Sequence, residues 1–316
     1  MDSLLIGLRA AGEPTRLRLL ALCAYGELSV TELTQILGQS QPRVSRHLKL
    51  LVDAGLLERF REGALVFYRI SDMRNSKNGE AAVLARTLVD LLPDESADLA
   101  RDLARLETIR QKRAQAADVY FENNAAHWNE IRRMHVAEEQ VEQKLLSLVG
   151  KKPIESYLDI GTGTGRILAL MSERVSQGLG IDQSNEMLAV ARAHLEQEGL
   201  KNVHVRKGDM YNMPLDDQSV DLATLHLVLH YAQDPQLVIN EAARTLKRDG
   251  RLIIVDFAPH QEEHLRSEHK HQRLGFNNKE IQQTLIEAGL KPGKMHSLQG
   301  DPLTVNIWQA ALPSLH

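Results

Sequence analysis

The sequence predicts an α/β chain in two parts: a small helical domain closed by a β-hairpin, then a doubly wound parallel sheet. Three observations carry that expectation. YLDIGTGTGR, from Tyr157 to Arg166, is a short apolar run that turns through three glycines into a helix. SQPRVSRHLKLLVDAGLL, from Ser40, reads as a capped amphipathic helix followed by two β-prone runs. Strand-like and helix-like segments then alternate through the second half of the chain. A chain of 316 residues is long for one core and suggests about two domains.

Bulk composition bounds little else. A net charge of −4 leaves nucleic-acid binding to be argued locally, because a basic patch can hide in a balanced total. Cys23 is the only cysteine, which rules out an internal disulfide and any cysteine-cluster metal site. The first residues show no basic leader before a long apolar run, and no later apolar stretch reaches the roughly 18 residues of a membrane span. A cytoplasmic protein with no membrane partner is expected.

In the first part, residues 1–76, Pro14 suits a helix start and Leu17, Leu20, Leu22 and Cys23 fall roughly on one face. Ser29 with Glu32 makes a capping box for a short helix ending near Gly38. In the third helix Ser40 caps, Pro42 sits in the first turn, and Val44, Leu48 and Leu51 form the buried stripe, with Arg43, Arg46 and Lys49 opposite. LLERFREGALVFYRIS gives two strand-like runs around Glu62-Gly63, a hairpin signal. This order reads as a winged helix-turn-helix, which serves DNA reading or protein contacts.

From Leu4 to Asp72 the helix, turn and wing together resemble ArsR-type bacterial transcriptional regulators. The resemblance implies that Ser40, Gln41, Arg43, Ser45, Arg46 and His47 face the major groove of double-stranded operator DNA, with Arg59 and Arg61 touching phosphates. The residue types agree: guanidinium groups pair with guanine or clamp phosphate, while short hydroxyls and amides set register. Some relatives sense metals through a Cys-x-Cys before the recognition helix. In ELSVTEL that place holds Ser29 and Thr31, whose hydroxyls do not hold soft metals tightly, and no histidine occurs between His47 and His127. No metal is expected here.

Residues 77–118 read as a helical dimerisation or linker segment. From Asn78 to Val149 the chain is nearly free of glycine and rich in Ala, Leu, Glu and Arg, which predicts long helices broken near Pro93. The ArsR resemblance implies a homodimer built on the helix after the wing, presenting two recognition helices to a palindromic operator. VYFENNAAHWNEIR, from Val119, resembles the lead-in of small-molecule methyltransferases. Tyr120, Phe121 and Trp128 there either close over a cofactor or simply pack.

Residues 119–316 form the second part. In the glycine loop the spacing is Gly161, Gly163, Gly165, with Asp159 two residues ahead; the dinucleotide fingerprint would need Gly or Ala where Arg166 stands. Asp182 ends the next apolar run about twenty residues on, placed to accept ribose hydroxyls. Loop and acid resemble a class I S-adenosylmethionine (SAM) methyltransferase, a Rossmann-like fold. By that resemblance Asp159, Gly161, Thr162, Gly163, Gly165, Asp182 and Gln183 hold SAM or its product S-adenosylhomocysteine (SAH), and Asp209 and Met210, at the end of the strand VHVRKGD, flank the adenine. RTLKRDGRLIIVDF reads as a turn and fifth strand, and KMHSL with LTVNIWQAAL as a closing hairpin.

Methyl transfer needs alignment of the acceptor and sometimes a base. His226 and His230 are the candidate bases, or they cap and pack. No Asn/Asp-Pro-Pro-Tyr run follows the fourth strand, and neither a Pro-Cys nucleophile nor a set of thiolates exists. Nucleic-acid and arsenic methylation are therefore disfavoured. HQEEHLRSEHKHQRLGF, after the fifth strand, reads as a charged lid or solvated helix, its histidines matching no standard metal spacing, with Arg266 or Arg273 available to an anion. Two functions stay open: a repressor-type regulator with SAM or SAH as effector, and an active methyltransferase on a small organic metabolite.

Overall fold

The structure is a computed structural model and describes residues 2–62, 65–71, 79–93, 96–133, 137–150 and 152–314, with the backbone alone at 117, 118 and 120–133. Gly63 of the expected hairpin turn, Asp72, Asn78 and the side chains of Tyr120, Phe121 and Trp128 lie outside the described residues. Contacts divide the chain into two units, Met1–Gln115 and Ala116–His316.

The first unit begins with α1 (Asp2–Ala11) and α2 (Pro14–Ala24), the latter opened by Glu13, whose carboxylate accepts the Arg16 N–H at 3.0 Å. The short strand β1 (Leu28–Ser29) leads into α3 (Val30–Leu37), where Ser29 and Glu32 close the expected capping box. Gly38, at φ 63, ends α3 and turns the chain into α4 (Gln41–Asp53). Ser40 occupies the N-cap position of α4 but makes no side-chain capping bond, so Pro42 and the apolar stripe set this helix start. Val44, Leu48 and Leu51 are fully buried, as the periodicity requires. Strands β2 (Leu57–Glu62) and β3 (Leu65–Ile70) pair antiparallel, and β1 adds to β3.

Helix α5 (Gly79–Asp90) packs on α1, where a Cβ on Gly7 would stand 2.6 Å from the Leu84 side chain. Helix α6 (Ala97–Arg133) buries Leu106 and Ile109 in the same core. Its polar contacts follow one face. Asp102, fully buried, accepts two bonds from Arg18 at 2.6 and 2.7 Å. Arg105 donates to the Ile36 carbonyl at 2.7 Å, at the end of α3, and Arg110 to the Tyr25 carbonyl at 2.8 Å. Arg113 donates to both Glu32 oxygens at 2.9 and 2.8 Å and to the Glu27 carbonyl at 3.1 Å. These spacings of three to five residues line up on a helix, so α6 holds α3 at both ends.

The second unit is a sheet wrapped by helices. In chain order it runs α7 (Glu138–Val149), β4 (Ile154–Ile160), α8 (Arg166–Met171), β5 (Val175–Asp182), α9 (Asn185–Gln197), β6 (Val203–Lys207) and β7 (Val220–His226). There follow α10 (Pro235–Thr245), β8 (Leu246–Phe257), α11 (His264–His269), α12 (Asn278–Glu287), β9 (Lys291–Pro292), β10 (His296–Leu298) and β11 (Val305–Ala311). The order across the sheet is β10-β11-β8-β7-β4-β5-β6, with β9 also on β11. Strands β4 to β8 are parallel, and β11 and β10 close the edge antiparallel, the expected hairpin. Alternate strand residues face two cores: Tyr157, Leu222, Ile253 and Val255 meet α7, α8 and α9, while Leu158, Ala223, Leu252 and Ile254 meet α10 and α12.

Two boundaries differ from the sequence expectation. Strand β6 stops at Lys207, and Asp209 lies beyond it in a bridge with Asn212. The stretch read as a turn before the fifth strand belongs to β8 itself, whose pairing with β7 shifts register between Val220 and Leu222.

Candidate functional site: a nucleoside cavity and a helix-turn-helix surface

Chain order reverses across the sheet at β4, which lies between β7 and β5, and a cavity of about 710 Å³ opens at the carboxyl ends of these strands. That is where open parallel sheets bind ligands. The glycine loop forms its floor. Gly161 and Gly163 adopt φ 70 and 53, a region that side chains rarely enter. A Cβ on Gly161 would lie 2.3 Å from Val228 Cγ2, whereas one on Gly163 would meet nothing within 4 Å. The loop thus packs tightly against the chain leaving β7 and stays open at Gly163. Gly165, φ 76, does not line the cavity; its missing Cβ lets α9 approach, Ala191 Cβ lying 3.1 Å from where it would be.

Because of that packing, Gly161→Ala is expected to cost about 1–3 kcal/mol of stability in the second unit, read as a lowered thermal midpoint. Val228→Ala in the same chain should recover the steric part. An unchanged midpoint in the single variant would remove the close approach as the reason for glycine.

Asp159 lines the cavity but its oxygens are engaged, accepting from Thr162 and Thr224 hydroxyls at 2.7 Å each, with Tyr157 bonded to Thr224 in turn. Burial raises its pKa, opposed by those hydroxyls. Asp159 therefore anchors the loop through buried Thr162. Asp182 is different. It ends β5, accepts the Gly163 N–H at 2.9 Å and the Ser184 N–H at 2.8 Å, and lines the cavity. Burial raises this carboxyl as well, against the two N–H groups. Each carboxylate oxygen keeps a second lone pair for a ligand hydroxyl.

Gln183 and Met210 also line the cavity; Asp209 does not, being exposed and accepting the Tyr211 N–H at 3.0 Å. On the far side His226 lines the wall, followed by Leu227 and Val228. His230 does not. It is 2% exposed, its Nδ1 lies 2.8 Å from Asp256, and its ring stacks near His271 at 4.0 Å and Tyr231 at 4.3 Å. In that place it fixes Tyr231, which does line the cavity and whose phenol burial pushes up to about 12, so that it remains a donor. Neither lid arginine reaches the wall: Arg273 pairs with Glu280, and Arg266 with Glu263 at 3.2 Å.

Sequence reasoning missed the contribution of α7, whose Glu138, Val141 and Glu142 line the cavity, with Arg166 paired to Glu142 and 3.7 Å from Glu138. It also missed Lys270. No motif marks either, since helices that merely lie across a sheet end carry no fixed spacing. Among the described residues no group of three or more His, Cys, Asp or Glu is arranged to hold a metal ion.

In the first unit, Ser40, Gln41, Arg43, Arg46 and Lys49 are exposed on α4, with Ser45 half-buried. Arg59 and Arg61, two residues apart on β2, are exposed on one face of the hairpin. His47 departs from this row: its ring lies 3.5 Å from Glu13, at the start of α2, with only 16% of the side chain exposed. Ser29 donates its hydroxyl to Glu32 at 2.8 Å, so the position where metal-sensing relatives carry a thiolate is engaged in capping.

Residues 13–59 match the family of bacterial regulatory proteins, arsR family, and residues 151–299 match a methyltransferase domain. The chain is 36% identical over 103 residues to YcgJ, an uncharacterised methyltransferase of Bacillus subtilis, covering 32% of this chain and 41% of that one. It is 31% identical over 119 residues to the demethylmenaquinone methyltransferase of Thermotoga maritima, covering 37% and 50%, and 31% identical over 107 residues to an arsenite methyltransferase of Halobacterium salinarum, covering 33% and 27%. The chain thus spans between about a quarter and a half of these curated relatives. The crystal structure of YcgJ superposes with a TM-score of 0.50 at 19% identity, covering 56% of this chain and all of that one, which shows the fold. The chain joins an ArsR-type helix-turn-helix to a class I methyltransferase domain. The cofactor of such a domain is SAM or SAH, and the donors and acceptors around Asp182 and Gly163 fit it.

Proposed function

We propose that the protein is an ArsR-type transcription regulator, a repressor that binds operator DNA as a homodimer and takes SAM or SAH as effector in its second unit. The observation that carries this reading is the presence, in one chain, of an exposed arginine row on a winged helix and a nucleoside cavity with an aligned ribose acceptor. Arg43, Arg46, Lys49 and Arg59 have no ion pair to this chain among the described residues, which suits phosphate and base contacts. Dimerisation is supported by apolar side chains left exposed on α1 and α5, Leu4 at 46%, Ile6 at 54% and Val83 at 51%. Coupling of about 1–3 kcal/mol between effector and DNA would change operator occupancy severalfold or more.

Within the cavity, Asp182 and Met210 would hold the adenosine, with Gly163 open to the backbone approach of the ligand. When bound, SAM supplies an electrophilic methyl group. The chain's own part is to orient: Thr162 and Asp159 fix the loop, and Tyr231 offers a hydroxyl at the wall. A second reading, an active methyltransferase on a small organic acceptor, is favoured by His226 and Tyr231 lining the side of the cavity away from Asp182.

A gel-shift titration on the gene's own upstream region, with SAM and SAH each added, tests the first reading; an affinity indifferent to both sinks it. SAH release from SAM in cell extract tests the second. In the same assay Arg43→Ala with Arg46→Ala should abolish the shift and leave SAH binding intact, since losing two base or phosphate contacts costs at least about tenfold each. Wild-type DNA affinity in that variant would remove the recognition-helix assignment.

A further inference from the structure

Four of the chain's 13 histidines stand between positions 260 and 271. None of the four lines the cavity, and among the described residues no such group is arranged to hold a metal. They belong to a compact loop that leaves β8 and returns beside it. The His260 N–H donates to the Leu274 carbonyl at 3.1 Å, and the Phe276 N–H to the Phe257 carbonyl at 2.9 Å. Gly275, φ 79, lies so close to the Ala258 carbonyl that no Cβ would fit between them. The base of the loop is therefore fixed, and its body rests on what it buries. Beside fully buried Leu265 that is imidazole: His269 and His271 are each 3% exposed. The His271 ring centre lies 4.0 Å from that of His230 and 6.3 Å from that of His269, and His260 lies 5.9 Å from Phe257.

Each element around this cluster brings its own polar groups. From β8 comes Asp256, fully buried, whose carboxylate accepts the N–H groups of His230 and Phe257 and lies 2.8 Å from His230 Nδ1. From β11 comes Asn306, in register with Asp256 and uncharged. The turn Leu229–Tyr231 brings His230 and the Tyr231 phenol, and the Gln272 and Arg273 N–H groups both donate to the His230 carbonyl, at 3.0 and 3.1 Å. Within the loop Glu262 meets partly exposed His264 at 3.5 Å and Glu263 meets Arg266, while Glu268 and Lys270 are exposed. From α12, Glu280 pairs with Arg273. The cluster thus sets three buried imidazoles, those of His230, His269 and His271, against one buried carboxylate. Charging all three in place loses solvation that a single anion cannot return.

We infer that the loop from His260 to Leu274 is a proton-released flap: in acid its imidazoles gain more by charging in water than by staying packed against β8, and the loop lifts away. The movement reaches the cavity through two residues of its wall. Lys270 stands between the two buried histidines, held at φ 61, a strained state that opening relieves. Tyr231 lies against the rings of His230 and His271, at 4.3 and 5.2 Å. The packed loop binds fewer protons than the free one, so closure is complete above the usual imidazole value of about 6.5 and fades as pH falls below it. His260 conforms: burial holds its imidazole below the usual value, against the pull of Glu262. The flap does not depend on which ligand the cavity takes.

Hydrogen exchange of the full chain, expressed as protection relative to the intrinsic rate at each pH, tests the flap. A histidine that is neutral when packed and titrates near its usual value when free shifts the opening equilibrium about tenfold at a pH of about 5.5 and hardly at all at about 7.5. Peptides covering His260 to Leu274 should therefore lose at least about tenfold in protection between those two conditions, while peptides from β4 and β5 keep theirs. His271→Phe, which keeps a ring and takes no proton, should reduce the loss severalfold, and His269→Leu with His271→Phe should nearly abolish it. His264→Gln, at a partly exposed position, should leave it as in wild type. Protection that is flat with pH in wild type, that falls equally in the sheet, or that keeps its full dependence in the double variant overturns the inference. Should the double variant not fold, full dependence in the single His271→Phe overturns it as well.

Discussion

Asp182→Ala is expected to lower SAH affinity by at least about 100-fold in calorimetric titration and to leave operator binding in the absence of ligand unchanged. The carboxylate offers both oxygens to the cavity, and each charge-assisted bond it makes to a ribose hydroxyl contributes about 1.5–3 kcal/mol. Two such bonds account for two orders of magnitude or more, since 1.4 kcal/mol is about a factor of ten. The substitution also leaves the Gly163 and Ser184 N–H groups without the acceptor that now sets the loop. Asp182→Asn, which keeps the shape and one acceptor, should fall between. Wild-type affinity in the alanine variant would show that the ribose is held elsewhere. Acidity provides a second reading of the same group. Burial raises the Asp182 carboxyl above its ordinary value near 3.9, so the carboxylate is lost on acidification earlier than an exposed one. SAH affinity should therefore weaken as pH falls through this raised value. Stability moves oppositely for this group: with the folded pKa above the unfolded one, the folded state holds the extra proton, and its penalty is full only above the folded pKa. Binding should thus fade in acid while the second unit is still folded.

The second large effect is on stability. Asp102→Ala is expected to destabilise the first unit by about 3–5 kcal/mol, because it strands Arg18 beside a buried site from which its bidentate partner is gone. Replacing the pair together, Arg18→Met with Asp102→Leu, should cost far less, since the charge and its partner leave as one. Cys23 gives a local readout. It is the only cysteine of the chain, 3% exposed in the core of this unit, and burial pushes its thiol up to about 12. Thiol-reactive labelling therefore reports opening of the first unit alone. The alanine variant should label about two to three orders of magnitude faster than wild type, and the double replacement nearly as slowly as wild type. Equal labelling rates in all three would show that the ion pair is dispensable.

Much of this was legible before any coordinates, and the legible parts share a cause: local geometry that only certain residues satisfy. Ser29 with Glu32, the stripe Val44, Leu48 and Leu51, and the glycines at 161, 163 and 165 each encode a backbone state or a helix period, and each stands where expected. Asp182 was readable because strand, loop and acid have fixed spacing. What stayed hidden depends on partners far along the chain. His47 is aimed by Glu13 and His230 by Asp256, so neither histidine has the surroundings its sequence position suggests. Lys270 owes its place to buried histidines on both sides, and Asp209 was missed by two residues because β6 ends early. Arg113 meets Glu32 across 81 positions, a pairing no periodicity announces.

That last contact bears on where the DNA-reading part can be cut free. Glu32 is shared by the capping box of α3 and by Arg113, and Asp102, Arg105 and Leu106 sit well past the hairpin. A fragment excised just after β3 would carry the complete arsR-family match yet expose apolar core and leave Arg18 unanswered. Portability of this reading head, whether by recombination or in the laboratory, therefore extends to Gln115 rather than stopping at the wing.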